Sequence, residues 1–247
     1  EGRRDRGLRR WYPWWQLVDD HAFLDLTSPW EQAWMRREIR RRRPAADTVV
    51  ELGTWLGATT RAITGGGHPA PHVYDTFTFV DVEPRVAGTP LEGRHHEGED
   101  FVDLFQRRAG GAPVVHRGDV LVAGWDGPPI EVLFVDLAKT WEIWRHVRTT
   151  FVRPVEVGGL VVQQDWAHAN TPWLHLWHHR WRDHFEPLGP IAHSSAVPFR
   201  LRRPLPEAAF DHDELADHAP DEIDAAFTWA AGLVDPELRP NLAAAKV

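Results

Sequence analysis

Apolar residues in this chain gather into short, near-continuous runs separated by longer mixed stretches, the pattern of strands buried on both faces. In order these runs are TVVEL (48–52), HVYDTF (72–77), PVVH (113–116), EVLFVD (131–136) and GLVVQQD (159–165), then FEPLGPIAH (185–193) and AVPFRLRR (196–203). The first five, separated by crossovers, predict a parallel sheet, and the last two predict an antiparallel hairpin at its edge. Ahead of them Ser28, Pro29 and Glu31 stand as N-cap, N1 and N3 of a capping box, so a helix is expected from about Pro29 to Arg43. The stretch from Val80 to Arg108 is longer than an ordinary crossover and holds a helix-like DFVDLFQRR; loops of that kind at a sheet edge often serve as lids. From Pro206 onward, acidic and alanine-rich segments broken by Pro220, Pro236 and Pro240 predict short helices packed on the outside.

This order divides the chain into an N-terminal aromatic and basic helical cap (1–46), a core (47–206) and a C-terminal helical extension (207–247). The cap holds WYPWWQLV and HAFLDL, two apolar patches expected to cover something, and the expected helix ends in the basic run RREIRRRR. Arginines at a helix C-terminus suit the dipole and read as a solvated face, with nucleic-acid binding the weaker alternative. At 247 residues and 43% hydrophobic content one α/β domain with decorations is the simplest account. A net charge of −8 argues against nucleic acid or an anionic membrane as partner. The absence of cysteine removes disulfides, thiolate metal sites and thiol nucleophiles. With no signal peptide and no membrane-spanning run, a cytoplasmic protein is expected, and a homo-oligomer is compatible with the sequence. The chain opens on Glu1 rather than Met, as after a trimmed segment. Basic residues are almost all Arg; Lys139 and Lys246 are the lysines, and an internal Lys is a candidate for deprotonation near neutral pH, which Arg cannot do.

The stretch VVELGTWLGATT (49–60) organises the rest: a strand ending in Glu51, a turn with Gly53, Thr54 and Gly57, and small polar residues opening a helix. Gly53 permits positive φ or close approach, and free amides at the helix start favour a polar or anionic group. Asp75 ends the next run about 20 residues on, where nucleotide-binding sheets place an acid for ribose hydroxyls. Gly118 and Asp119 follow the third run. ELGTWLG resembles the nucleotide-cradling turn of class I S-adenosylmethionine-dependent methyltransferases. The resemblance implies a Rossmann-like, seven-stranded sheet, mostly parallel with an antiparallel edge hairpin and helices on both faces. It also implies that Glu51, Gly53, Thr54, Gly57, Asp75, Asp119 and Asp136 hold the cofactor S-adenosyl-L-methionine.

Asp136 and Asp165 end the fourth and fifth runs. Neighbouring strands lie about 4.8 Å apart, so the two carboxylates could share a hard cation such as Mg²⁺. The segment FVDLAKTWE is similar to the metal-dependent catechol O-methyltransferases, whose fourth strand ends Asp-x-x-Lys. That resemblance makes Asp136 a metal ligand and Lys139 the base that takes the hydroxyl proton, its neutral form favoured by a helix N-terminus and a dication. The pattern departs from the family in two places. Trp166 follows Asp165 where a ligand Asn is expected, and Ala138 and Gln164 stand where the related macrocin-type O-methyltransferases carry acids. Gln164, His168 or Asn170 are the residues left to complete the metal shell.

Histidines 168, 175, 178, 179 and 184 crowd one region; His175 and His179 lack the Glu of a zinc-hydrolase helix, so a histidine-rich solvated face is expected. Trp173, Trp177 and Trp181 form a helical stripe expected in the core, with Trp166, Trp173 or Trp55 as alternative walls for an aromatic acceptor or the sulfonium. The expected function is transfer of a methyl group from S-adenosyl-L-methionine to a hydroxyl of a small molecule, phenolic or sugar, in biosynthesis. A catalytically degenerate cofactor-binding domain and a nucleic-acid methyltransferase are the alternatives.

Overall fold

Val49 to Leu52 form β1, buried at every position, the carboxyl of Glu51 included. The computed structural model describes residues 25–243 apart from positions 69 and 90. The WYPWWQLV patch, most of HAFLDL and Lys246 lie outside these. Chain order is α1 (Pro29–Arg42), β1, α2 (Ala58–Gly65), β2 (His72–Asp75), α3 (Val82–Val86), α4 (Val102–Ala109), β3 (Val114–Arg117) and β4 (Ile130–Val135). It continues with α5 (Trp141–Val147), β5 (Val155–Gln163), α6 (Pro172–Arg180), β6 (Phe185–Pro187), β7 (Val197–Leu201), α7 (Pro220–Gly232) and α8 (Arg239–Ala243).

The strands form one sheet of seven in the order β3-β2-β1-β4-β5-β7-β6. The first five are parallel, and β7 runs antiparallel between β5 and β6. Alternate residues serve opposite faces. Val49, Val132, Phe134, Leu160 and Val162 pack under Met35 and Ile39 of α1 and Ile63 of α2. On the other face Val50, Leu133, Val135 and Val161 meet Trp144, Phe151, Trp177 and residues from the C-terminal helices, Ala230 and Leu242 among them. Chain order reverses at β1 and β4, so their carboxyl ends open a crevice. No helix among the described residues is long and apolar enough to cross a membrane.

Several expectations change with the coordinates. Half of the capping box forms: Ser28 Oγ accepts from the Glu31 amide at 3.2 Å. The Glu31 carboxyl turns inward instead of back to the cap, accepting from Ser194 Oγ at 2.8 Å. Burial pushes its pKa up to about 8. The helix ends one residue early because Arg43 turns left-handed at φ 52° and closes on Ile39. The basic run is used within the chain: Arg40 donates to the Gly65 carbonyl, Arg41 to Glu38 and Arg42 to the Gly158 carbonyl. The long β2–β3 crossover has its own apolar centre of Phe77, Phe79, Val82, Leu91, Phe101 and Phe105, which argues for a fixed wall rather than a loose loop.

The solvated histidine face is overturned for His175 and His178, while His168, His179 and His184 keep some exposure. His175 and His178 are fully buried, His175 against Trp166 and Phe227 of α7 and His178 against Phe199 of β7 and Gln163 of β5. The His175 Nε2 bonds the Trp166 carbonyl at 2.7 Å, and His178 stacks on Phe199 at 4.2 Å. Burial lowers the His175 pKa to about 4 and drives that of His178 well down, so both stay neutral. Two of the three stripe tryptophans are core, as expected: Trp173 and Trp177 are buried and donate to the Ala138 and Ala209 carbonyls, each at 2.8 Å, while Trp181 is only partly buried.

Candidate active site

β1 ends between β2 and β4, and the chain must turn there without lifting off the sheet. The Gly53 amide donates to the Tyr74 carbonyl at 2.8 Å, and the Asp136 amide donates to the Leu52 carbonyl at 2.7 Å. Gly53 has φ +80°, and a Cβ on it would sit 2.8 Å from the Asp136 carbonyl oxygen. Gly57, also at φ +80°, faces away from the crevice, and its Cβ would meet the Phe105 ring of α4 at 3.0 Å. The two glycines therefore serve different ends: one lets the turn hug β4, the other lets a helix close over it.

Glu51 is completely buried behind this turn. Its carboxylate accepts from Thr60 Oγ at 2.6 Å, and the Thr60 and Thr54 hydroxyls lie 2.8 Å apart. Burial pushes the Glu51 pKa up to about 8, against the pull of both threonines. Glu51, Thr54 and Gly57 thus shape the turn, and the cavity described next is lined by Gly53 but by none of those three.

The cavity has a volume of about 660 Å³ and lies at the carboxyl ends of β1, β2, β4 and β5. Sequence-expected residues that line it are Gly53, Asp75, Asp119, Asp136, Lys139, Asp165 and His168. Asp75 is also a clamp. Its Oδ2 accepts from the amides of Thr54 at 2.9 Å and Trp55 at 3.1 Å, and its Oδ1 accepts from Phe77 at 2.9 Å. These bonds hold Trp55, a bulky residue at φ 46°, in a left-handed conformation. The Trp55 ring lines the cavity and stands edge-on to Phe79 and Phe101. Asp119 caps the short turn after β3, accepting from the Leu121 amide at 2.9 Å. Asp75, Asp81, Asp119, Asp136 and Asp165 face the cavity against Arg85 and Lys139, so its wall favours a cationic guest.

The register of β4 and β5 pairs Val135 with Gln163, which brings the residues beyond both strand ends together. The Lys139 ammonium lies between them, donating to Asp136 Oδ1 at 3.0 Å and to Asp165 Oδ2. Burial, with the charge of Asp165 adding, pushes the Asp136 pKa up to about 7 although Lys139 opposes it. Burial works in the same sense on Asp165, yet its hydrogen bond from His168 and the Lys139 charge outweigh it and hold that carboxyl below its ordinary value. For Lys139 burial favours the neutral amine, but the two carboxylates outweigh it and raise the pKa. Held by two acids, Lys139 is an ammonium here, whereas the neutral amine expected from the sequence required a dication beside it.

The same arrangement bears on the expected Mg²⁺. That ion wants octahedral oxygen ligands, and the point shared by the two carboxylates is filled by a cation of this chain. Gln164 is buried and off the cavity wall, so it supplies no ligand. His168 directs Nδ1 to Asp165 Oδ1 at 3.1 Å. Among the described residues no group of three or more His, Cys, Asp or Glu could hold a metal. The described residues therefore give the expected dication no support, while Asn170, the remaining candidate ligand, lines the cavity beside the two acids.

Arg85, Asp81 and Thr171 line the cavity without having been singled out in the sequence, since they come from a crossover and a turn with no motif. Trp166, offered as a wall, is instead fully buried, with its Nε1 on the Ala230 carbonyl at 3.3 Å. Trp173 is likewise off the wall.

No family model and no curated protein matches the sequence. Solved structures do. The O-methyltransferase NovP superimposes with a TM-score of 0.51 at 16% identity, covering 70% of this chain and 80% of that one. The calicheamicin methyltransferase CalS11 gives 0.49 at 14% identity over 78% and 84% of the two chains. A putative caffeoyl-CoA O-methyltransferase from Staphylococcus aureus gives 0.48 at 10% identity over 80% and 91%. The likeness to NovP shows the fold.

Proposed function

We propose that this chain, which has the fold of the class I S-adenosylmethionine-dependent methyltransferases, transfers the methyl group of S-adenosyl-L-methionine to a hydroxyl oxygen of a small phenol or sugar. The observation that carries this reading is the Gly53 turn opening onto one cavity whose wall also bears Asp75, Asp119, Asp136 and Asp165. Gly53 lets the turn pack against β4 while lining the cavity, and Asp75 and Asp119 on the same wall would serve as acceptors for ribose and adenine. The acidic wall suits the sulfonium. Methyl transfer is an in-line displacement that needs chiefly placement, so a rigid cavity with a cofactor end and an acceptor end supplies most of the catalysis. The acceptor end is the part between Lys139, Asp165, His168 and Asn170. There the Lys139 ammonium keeps Asp165 ionised and offers hydrogens to an acceptor oxygen. The divalent metal expected from the sequence has no support among the described residues, and this reading stands without it. Residues 47–206 carry the reaction, with the flanking segments closing the core.

A second reading, cofactor binding without transfer, is favoured by the Lys139 ammonium lying where an acceptor oxygen would be activated. Calorimetry with S-adenosylhomocysteine and methyl-labelled S-adenosylmethionine offered with a panel of phenols and sugars separate the two. Binding with label transfer supports the first reading, and binding without transfer supports the second. Absence of binding refutes both. Added Mg²⁺ is expected to change neither quantity.

A further inference from the structure

S-adenosyl-L-methionine carries a sulfonium, an ammonium and a carboxylate, and the cavity wall treats them unequally. Asp75, Asp81, Asp119, Asp136 and Asp165 suit the two cations and repel the anion. The Arg and Lys side chains facing these acids are Arg85 and Lys139. Lys139 is engaged by Asp136 and Asp165, which leaves Arg85 to meet a negative charge on a ligand. Arg85 belongs to a fixed element. Val82 and Val86 of α3 are sealed in the apolar centre of the crossover, and Glu97 accepts from the Asp81 amide at 2.7 Å and the Val82 amide at 3.2 Å. The Arg85 side chain is exposed, and its guanidinium stands over the Trp55 ring, 5.8 Å from the centroid. That face attracts the cation and orients its plane, while Asp75 holds the Trp55 backbone in place. Among the described residues the guanidinium makes no ion pair or hydrogen bond, so its fork of N–H donors is open to a ligand.

We propose that Arg85, held over Trp55, is the carboxylate-binding residue of this cavity and takes the aminoacyl carboxylate of the cofactor, an assignment that rests on the methyl-transfer reading. The sheet order places it at the right end. Trp55 follows β1 and Arg85 follows β2, whereas Lys139 and Asp165 follow β4 and β5 on the acceptor side. A planar guanidinium matches a carboxylate through paired N–H bonds, which fixes the amino-acid tail in direction as well as in charge. With the tail anchored there, the acids remain for the ammonium, the sulfonium and the sugar hydroxyls. Arg85 thus makes the cavity selective for a nucleoside that keeps its amino-acid carboxylate.

The test is calorimetry on the full chain with S-adenosylhomocysteine and with S-adenosyl-3-thiopropylamine, the decarboxylated analogue that keeps the ammonium. Wild type should prefer S-adenosylhomocysteine, and Arg85→Gln should cut that preference by about tenfold or more, with the analogue changed by less than about twofold. Arg85→Lys keeps the charge without the fork and should retain part of the preference. Arg85 is exposed, so the thermal midpoints of both variants should match wild type. A second arm titrates catechol and 3,4-dihydroxybenzoate into the S-adenosylhomocysteine complex, and Arg85→Gln should leave their ratio of affinities unchanged. The proposal is overturned if wild type binds both nucleosides alike, or if Arg85→Gln weakens both equally or neither. It is also overturned if the variant keeps the nucleoside preference and loses one for dihydroxybenzoate, which assigns Arg85 to an acceptor carboxylate instead. Failure of wild type to bind S-adenosylhomocysteine is a different result: it overturns the methyl-transfer reading, and this assignment with it.

Discussion

Removing the Asp75 carboxylate should unfasten the cofactor turn as well as weaken a ribose contact. In Asp75→Ala three backbone amides, those of Thr54, Trp55 and Phe77, lose an ionised acceptor at 2.9–3.1 Å. A hydrogen bond to a charged group contributes roughly 1.5–3 kcal/mol, and partial access of water to this site brings the figure to about 1 kcal/mol per bond, or about 3 kcal/mol in all. Trp55 adds to the effect, because its left-handed φ of 46° costs about 1–2 kcal/mol that the Asp75 bonds offset. Asp75→Asn keeps one carbonyl oxygen and should lose about half as much. In urea titrations the midpoint should drop with the slope unchanged, and the thermal midpoint of Asp75→Ala should fall by about 6–12 °C. Calorimetry should show S-adenosylhomocysteine affinity reduced by at least tenfold. The clamp is refuted if Asp75→Ala costs less than about 1 kcal/mol, or if Asn is as damaging as Ala.

Three further outcomes follow from the same coordinates. Gly57→Ala, at φ +80° with its Cβ 3.0 Å from Phe105, should destabilise by about 2–4 kcal/mol from strain and crowding, and a urea midpoint equal to wild type would contradict it. Glu31 and Glu51, each raised to about 8 from an ordinary carboxyl, bind a proton in the folded chain that the unfolded chain has released. Their contribution is complete below about pH 4.5 and declines as pH rises to about 8, by up to about 1.4 kcal/mol per pH unit for each group. Glu51→Gln should flatten that slope in urea titrations from pH 5 to 8, and an unchanged slope would place the bound proton elsewhere. Lys139→Arg keeps the charge between Asp136 and Asp165 but cannot deprotonate, so methyl transfer to catechol should stay within about tenfold of wild type. A loss of about a hundredfold or more would return the base to Lys139.

The sequence alone determined the sheet, its seven strands and its carboxyl-end acids, because strands buried on both faces leave unbroken apolar runs, and turns with positive φ leave glycines. It located Gly53, Asp75, Asp119, Asp136, Lys139, Asp165 and His168, all of which line one cavity. It could not say how they divide the work. Spacing gives Asp136, Lys139 and Asp165 as neighbours, but whether the lysine lies between the acids or faces a cation they share depends on side-chain direction. The same limit explains the histidines: a polar stripe on α6 reads as solvated until Phe227 of α7 is seen to cover His175, and Gln163 and Phe199 of the sheet to cover His178. Glu31 followed a local capping rule in sequence and a long-range bond to Ser194 in space. Local propensity fixes where elements begin and end; burial and charge pairing, which sum over residues distant in the chain, fix which side chain is an acid, a base or a strut.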